Sequence, residues 1–195
     1  MSNKRRAIVD TAARLFYAHG YHAIGIDRII AEAGVAKMTM YKYFASKADL
    51  ISAVLKDRDS RFQKSLFSFV STFHSPLEKI KAIFTWYDRW LKEPTFNGCM
   101  FISAAVEYSD PNDEIHLLSK AHKQAIQDHI TLILKEVTKE RTALSLGAQL
   151  IQILEGAVIT GLVFGDRNSA ITAWRTAAAV LNAEGLIDAD TQALS

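Results

Sequence analysis

The sequence predicts an all-α protein of nine helices, with an N-terminal three-helix unit over residues 1–46 and a larger helical body over residues 47–195. Three observations carry this. Apolar residues recur at helical spacing along nearly the whole chain, with no useful strand-period alternation and no repeat of about 20–50 residues. The chain has only three prolines, at Pro76, Pro94 and Pro111. Glycines and capping residues fall between the periodic segments, where helices end and begin. A composition of 49% hydrophobic and 23% charged residues supplies a full core and excludes a disordered chain.

The first helix is expected from Lys4 to His19, because Ile8, Ala12, Leu15 and Phe16 share one face. Gly20 follows where a C-terminal cap wants a left-handed residue. A short helix is expected from Asp27 to Ala33, with Ile29 and Ile30 inward, stopped by Gly34, and a second from Lys37 to Tyr43. Ser46 reads as the N-cap of a long helix from Lys47 to Ser71, with Asp49 in its first turn. Its apolar positions are Leu50, Ile51, Val54, Leu55, Phe62, Leu66, Phe69 and Val70. Ser75-Pro76 opens the next helix, to Lys92, with proline at its first position. Residues 93–98 form a loop. Further helices are expected over Cys99–Tyr108, Asn112–Thr138, Thr142–Phe164 and Ser169–Ala183, and the tail from Gly185 reads as loose.

Charge is unevenly placed. Residues 1–50 carry eight Lys/Arg against four Asp/Glu, and the remainder carries fifteen against seventeen. A basic head on a slightly acidic body suits a nucleic-acid-binding head. Lys4, Arg5 and Arg6 read either as an arm for DNA or as a solvated terminus. The single cysteine, Cys99, excludes an internal disulfide and any CxxC zinc pattern, and fits a reducing cytoplasm. The N-terminus lacks the apolar run of a signal peptide. The most apolar late stretch, residues 150–165, is broken by Gln152, Glu155 and three glycines, so no membrane span is expected.

Residues 27–43, DRIIAEAGVAKMTMYKY, place two short helices around a turn containing Gly34. This is a helix-turn-helix. Ala31 is expected at the close helix crossing, and Ile30 and Val35 in the wedge between the helices. The second helix projects Lys37, Met38, Thr39, Tyr41, Lys42 and Tyr43. A recognition helix presents such groups to the major groove. Lys37 suits guanine O6/N7 and Met38 a thymine methyl, while Thr39, Tyr43 and Lys47 suit phosphate oxygens.

On these residues the chain resembles the tetracycline-repressor (TetR) family. The matching elements are LFYAHGY, IIAEAGV and TMYKYFASKADLI, within residues 8–51. They hold the Gly34-Val35 turn, Thr39 to Tyr41, Phe44 with Lys47, and Asp49-Leu50. Two positions depart: Ala36 and Gly25 stand where the family usually has a Ser or Thr cap. The resemblance implies a DNA-binding domain over 1–46 and a ligand-binding and dimerisation domain over 47–195. Residues 98–115 and 155–166 resemble segments of one branch of the family's regulatory domains.

The implied effector cavity lies among the middle helices, lined by a subset of Phe62, Leu66, Phe69, Trp86, Tyr87, Trp90, Phe101, Tyr108, His122 and Ile126. The same aromatics could equally be packing. His116, His122 and His129 share one helix without a compact ligand motif, so no metal and no cofactor are expected. Cys99 reads as a packed thiol, and Glu107 and Glu155 either meet a ligand or pair with a hydroxyl or water. One head reads few base pairs, so a homodimer on a pseudopalindromic operator in double-stranded DNA is expected. Its seam is expected on the last two helices, at Leu150, Leu154, Ala157, Val158, Gly161, Leu162, Ile171, Trp174, Ala178 and Leu181. Gly156 and Gly161 would permit close approach there or within the chain.

The function expected is a cytoplasmic, ligand-responsive transcriptional regulator. By resemblance it is a repressor released by a small lipophilic or aromatic effector, with activation left open. The alternative is a helical interaction or DNA-architectural protein without an effector. Gly-rich phosphate loops, HExxH, GxSxG and paired carboxylates are all missing, so no enzyme is expected.

Overall fold

The computed structural model describes residues 3–187. The tail expected to be loose lies outside them from residue 188. Among the described residues there are nine helices and no strand. They are α1 (Asn3–His19), α2 (Ile26–Ala33), α3 (Lys37–Tyr43), α4 (Lys47–Val70), α5 (Pro76–Leu91), α6 (Met100–Glu107), α7 (Glu114–Leu134), α8 (Glu140–Val163) and α9 (Ser169–Ala183).

The expected stop signals act as chemistry requires. Gly34 takes φ +63 and caps α2, and Gly20 takes φ +81 after α1. At the start of α4, Ser46 and Asp49 cap reciprocally. The Asp49 N–H donates to Ser46 Oγ at 3.0 Å, and the Ser46 N–H to the Asp49 carboxylate at 2.9 Å. Ser75 and Glu78 form the same box before Pro76 at the start of α5. One boundary differs by more than two residues. α7 ends at Leu134 rather than Thr138, and the chain turns with Glu136 and Val137 bonded back to Ile133 and Leu134.

The described residues divide into two compact units, and α4 and α7 each belong to both. The first takes the chain up to Arg61 together with Cys99–His122. Its core holds Ile8, Ala12, Leu15 and Phe16 of α1, Ile29 of α2, Met40 of α3 and Leu50, Ile51, Val54 and Leu55 of α4. Arg6 bridges α1 to α4, donating to Asp10 at 2.7 Å and Asp57 at 2.8 Å, and Arg5 lies over the Phe44 ring. These two arginines therefore pack the head. Arg14 and Arg28 both donate to Glu32, tying α1 to α2.

The second unit takes Phe62–Gly98 and the described chain from Lys123 onward. Helices α5, α8 and α9 pack together, and Trp174 meets the Phe84 ring at 5.5 Å. α8 is long and apolar enough, by length and composition alone, to cross a membrane, with Gln152, Glu155 and its glycines interrupting the apolar run. Leu146, Leu150, Leu154 and Val158 on this helix are buried inside the unit, and a core helix acquires that composition for the same reason.

Candidate nucleic-acid interface and regulatory sites

α3 is the exposed helix of the helix-turn-helix. Met40 anchors it, fully buried, while Met38 is 84% exposed. Lys37, Tyr41 and Lys42 are also exposed, and Thr39, Tyr43 and Lys47 are half-buried. Lys37 Nζ lies 3.2 Å from Asp27 of α2, an exposed pair that contributes little to stability. Ala36 precedes α3 in extended conformation and supplies no side-chain cap, nor does Gly25 before α2. Ala31, expected at the helix crossing, is exposed instead, and Ile30 and Val35 are half-buried. Ile29 of α2 and Met40 of α3 are fully buried, and the sequence reading missed Met40.

Lys47 opens α4. Its ammonium donates to the His22 carbonyl at 3.4 Å, and burial lowers its pKa against the opposing pull of Glu107. Glu107, last residue of α6, accepts from the backbone N–H groups of Tyr21 at 2.8 Å and His22 at 2.6 Å. Its carboxylate also lies 2.8 Å from His22 Nδ1. Burial pushes the Glu107 carboxyl upward, but these partners outweigh it and hold it below the usual range. Beside α1 and α4, a cleft of about 460 Å³ is lined by Arg5, Tyr43, Phe44, Ser52, Lys56 and Asp57, among others. Ser52 Oγ is buried there without a hydrogen-bond partner.

The residues expected to line an effector cavity fall into both units. In the second, Phe62 meets Trp86, Tyr87 and Trp90 edge-on at 4.7–6.0 Å, and Trp90 meets Phe96 at 5.2 Å. Leu66 and Ile126 are buried, and Phe69 lies under Arg89. The Trp86 indole donates to Ser65 at 3.1 Å. These rings pack on one another, with Trp86 and Trp90 at 6.0 Å and Tyr87 and Trp90 at 5.6 Å. In the first unit, Phe101 stacks on His122 at 3.6 Å, and His122 Nδ1 lies 2.6 Å from Asp59. Tyr108 stacks on His22 at 4.9 Å. Glu155 pairs with Lys123 at 2.7 Å.

Most of the residues expected at the seam pack within the chain. Leu150, Leu154, Ala157, Val158, Gly161, Trp174, Ala178 and Leu181 are buried within one chain by α5, α8 and α9 packing. Ile171 is half-buried, and Leu162 is exposed. At the C-terminal end of α8, Ile159, Leu162, Val163 and Phe164 are apolar side chains left on the outside, the last 80% exposed. Nearby, Ile153, Gly156, Thr160 and Thr176 line a groove of about 260 Å³ between α8 and α9.

Residues 8–54 match the family model of bacterial regulatory proteins, tetR family. A solved TetR-family transcriptional regulator from Streptomyces coelicolor is similar over 92% of this chain and 95% of that one, at 31% identity and TM-score 0.87. An HTH-type transcriptional regulator from Lactococcus lactis is 28% identical over 111 residues, 56% of this chain and 57% of that protein. The HTH-type transcriptional activator FasR of Mycolicibacterium smegmatis is 42% identical over 53 residues, 27% of this chain and 24% of FasR. The chain thus spans about half and about a quarter of these last two relatives. The family model falls on the helix-turn-helix, and the similarity to the solved regulator runs through both units. The chain belongs to the TetR family and is a DNA-binding transcriptional regulator, not an enzyme.

Proposed function

We propose that this regulator acts in the cytoplasm as a homodimer on a pseudopalindromic operator, reading bases with Lys37 and Met38 and phosphates with Thr39, Tyr43 and Lys47. Tyr41 and Lys42 complete the exposed face. The observation that carries this is Met38, a large apolar side chain left 84% exposed on the outer face of α3 while Met40 is fully buried. A methionine so placed suits a thymine methyl in the major groove. Selection of bound duplexes from a random pool tests it. The expected product is an inverted repeat with half-sites about one helical turn apart; recovery of unrelated sequences would sink it.

The dimer seam is best supplied by Ile159, Leu162, Val163 and Phe164 with the α8–α9 groove, since an exposed apolar patch of this kind marks an interaction surface. The body acts as an effector-binding domain, and repression relieved by a small lipophilic or aromatic molecule is the favoured mode. The Phe62, Trp86, Tyr87 and Trp90 cluster is the candidate site. Its rings offer an apolar, aromatic wall of the kind that holds a lipophilic molecule. The contacts among these rings are also those of ordinary core packing, so the second reading is an interaction or DNA-architectural protein without an effector. A screen of lipophilic and aromatic compounds for release from the selected duplex separates the two.

A further inference from the structure

The α1–α2 turn is tied to both ends of α6. At one end, the buried Tyr21 hydroxyl donates to the Met100 carbonyl at 2.9 Å. At the other, the Glu107 carboxylate accepts from two consecutive backbone N–H groups of the turn and meets His22 Nδ1. Gly20 belongs to this fit twice over. Its φ is +81, and a Cβ there would stand 2.8 Å from Glu107 Oε1. Tyr108 stacks on the His22 ring and meets Tyr21 edge-on, closing the side of the turn. The turn in turn offers the His22 carbonyl to the Lys47 ammonium.

We propose that Glu107 is a positioning residue for DNA binding: its carboxylate fixes the α1–α2 turn so that the His22 carbonyl holds Lys47 aimed at the DNA backbone. The inference rests on the reading that Lys47 contacts phosphate. The chemistry is specific to a carboxylate. Two parallel N–H donors and an imidazole nitrogen need two acceptor oxygens, and charge-assisted bonds are the stronger kind. A glutamine of the same shape would turn an NH₂ donor toward one of those N–H donors. Burial of the Lys47 stem beside Glu107 also couples the two charges, since the carboxylate favours the ammonium form.

The test is a double-substitution cycle on the full chain, with a duplex selected from a random pool by the unsubstituted protein. Glu107→Gln should weaken binding about tenfold, as loss of a hydrogen bond to a charged group does. It should also make the salt dependence shallower by about one ion, as Lys47→Ala does. The double variant should bind no worse than Lys47→Ala alone. Circular dichroism and thermal unfolding of each variant separate this from general unfolding, and the Tyr21 and His22 amide proton resonances should move upfield in Glu107→Gln. Losses that multiply, or an unchanged salt slope in Glu107→Gln, would overturn the role of Glu107 while leaving Lys47 as a phosphate contact. A silent Lys47→Ala would overturn both. If Glu107→Gln does not fold, Glu107→Asp serves in its place: a partial loss that vanishes in the Lys47→Ala background supports the proposal, and an additive one overturns it.

Discussion

Gly161 and Leu91 approach so closely that a Cβ on Gly161 would stand 2.9 Å from Leu91 Cδ2, with Ser169 Oγ at 3.2 Å. Leu91 is fully buried, and the Ser169 hydroxyl is held on the Ala157 carbonyl, so neither yields easily. Gly161→Ala should therefore destabilise by about 1–3 kcal/mol through overpacking, partly offset by about 1 kcal/mol of helix propensity. Urea unfolding measures it; a more stable variant would show that the contact relaxes. Gly161→Trp should fail to fold.

Assembly is tested on the outer face of the same helix. Val163→Glu together with Phe164→Glu places two charges on exposed apolar positions and should cost little within the chain. The expected outcome is a monomeric mass by sedimentation at micromolar concentration, with helicity retained. A dimer that survives the pair moves the seam away from the end of α8.

For base reading, Lys37→Ala should relax preference at one base pair per half-site by about 1–3 kcal/mol. Binding of selected variants with each base pair changed reports it. Equal loss on selected and random duplexes would remove Lys37 from the base-reading set.

Ser52 buries a hydroxyl that has no partner. Leaving such a group unmade costs free energy, and Ser52→Ala removes it. The expected result is stability unchanged or raised by up to about 1 kcal/mol, read from urea midpoints at neutral pH. A clear loss would mean that Ser52 is bonded in solution.

The Glu107 carboxyl is held below its usual range in the folded chain. The sign follows from linkage: a depressed carboxyl contributes stability that is fully present above its unfolded value, about 4.3. That contribution is lost as pH falls through the lower folded value. Unfolding free energy measured from neutral pH downward should fall less steeply in this window for Glu107→Gln than for the unsubstituted chain. Parallel curves would contradict it.

The helices were legible because their signals are local. Gly20, Gly34, Ser46 with Asp49, and Ser75-Pro76 each state a boundary within a few residues of themselves. The stop of α7 at Leu134 was not legible, since no glycine or proline marks it. The recognition helix was legible for the same local reason, and the register through Gly34-Val35 and Thr39 to Tyr41 placed it. Which face of α8 is covered within the chain was not legible, because both of its faces carry apolar residues and periodicity cannot say which one α5 and α9 cover. Glu107 was flagged as a carboxylate among apolar neighbours, but its partners lie 85 and 86 residues earlier in the chain, and two of them are backbone groups. No sequence pattern names a backbone N–H as a partner at that distance.

The three tryptophans, Trp86, Trp90 and Trp174, all belong to the second unit, and the first unit has none. Light absorbed at the red edge of the protein spectrum therefore excites only the unit that lacks the recognition helix. Tryptophan emission from the described residues originates in the second unit alone. A change in tryptophan spectrum or lifetime when a duplex is added would be recorded in the unit that lacks the recognition helix, without a label. Trp86 and Trp90, with ring centres 6.0 Å apart, would also exchange excitation with each other. Emission anisotropy should accordingly rise when either is replaced by phenylalanine, which gives the effector-site candidate an optical signature of its own.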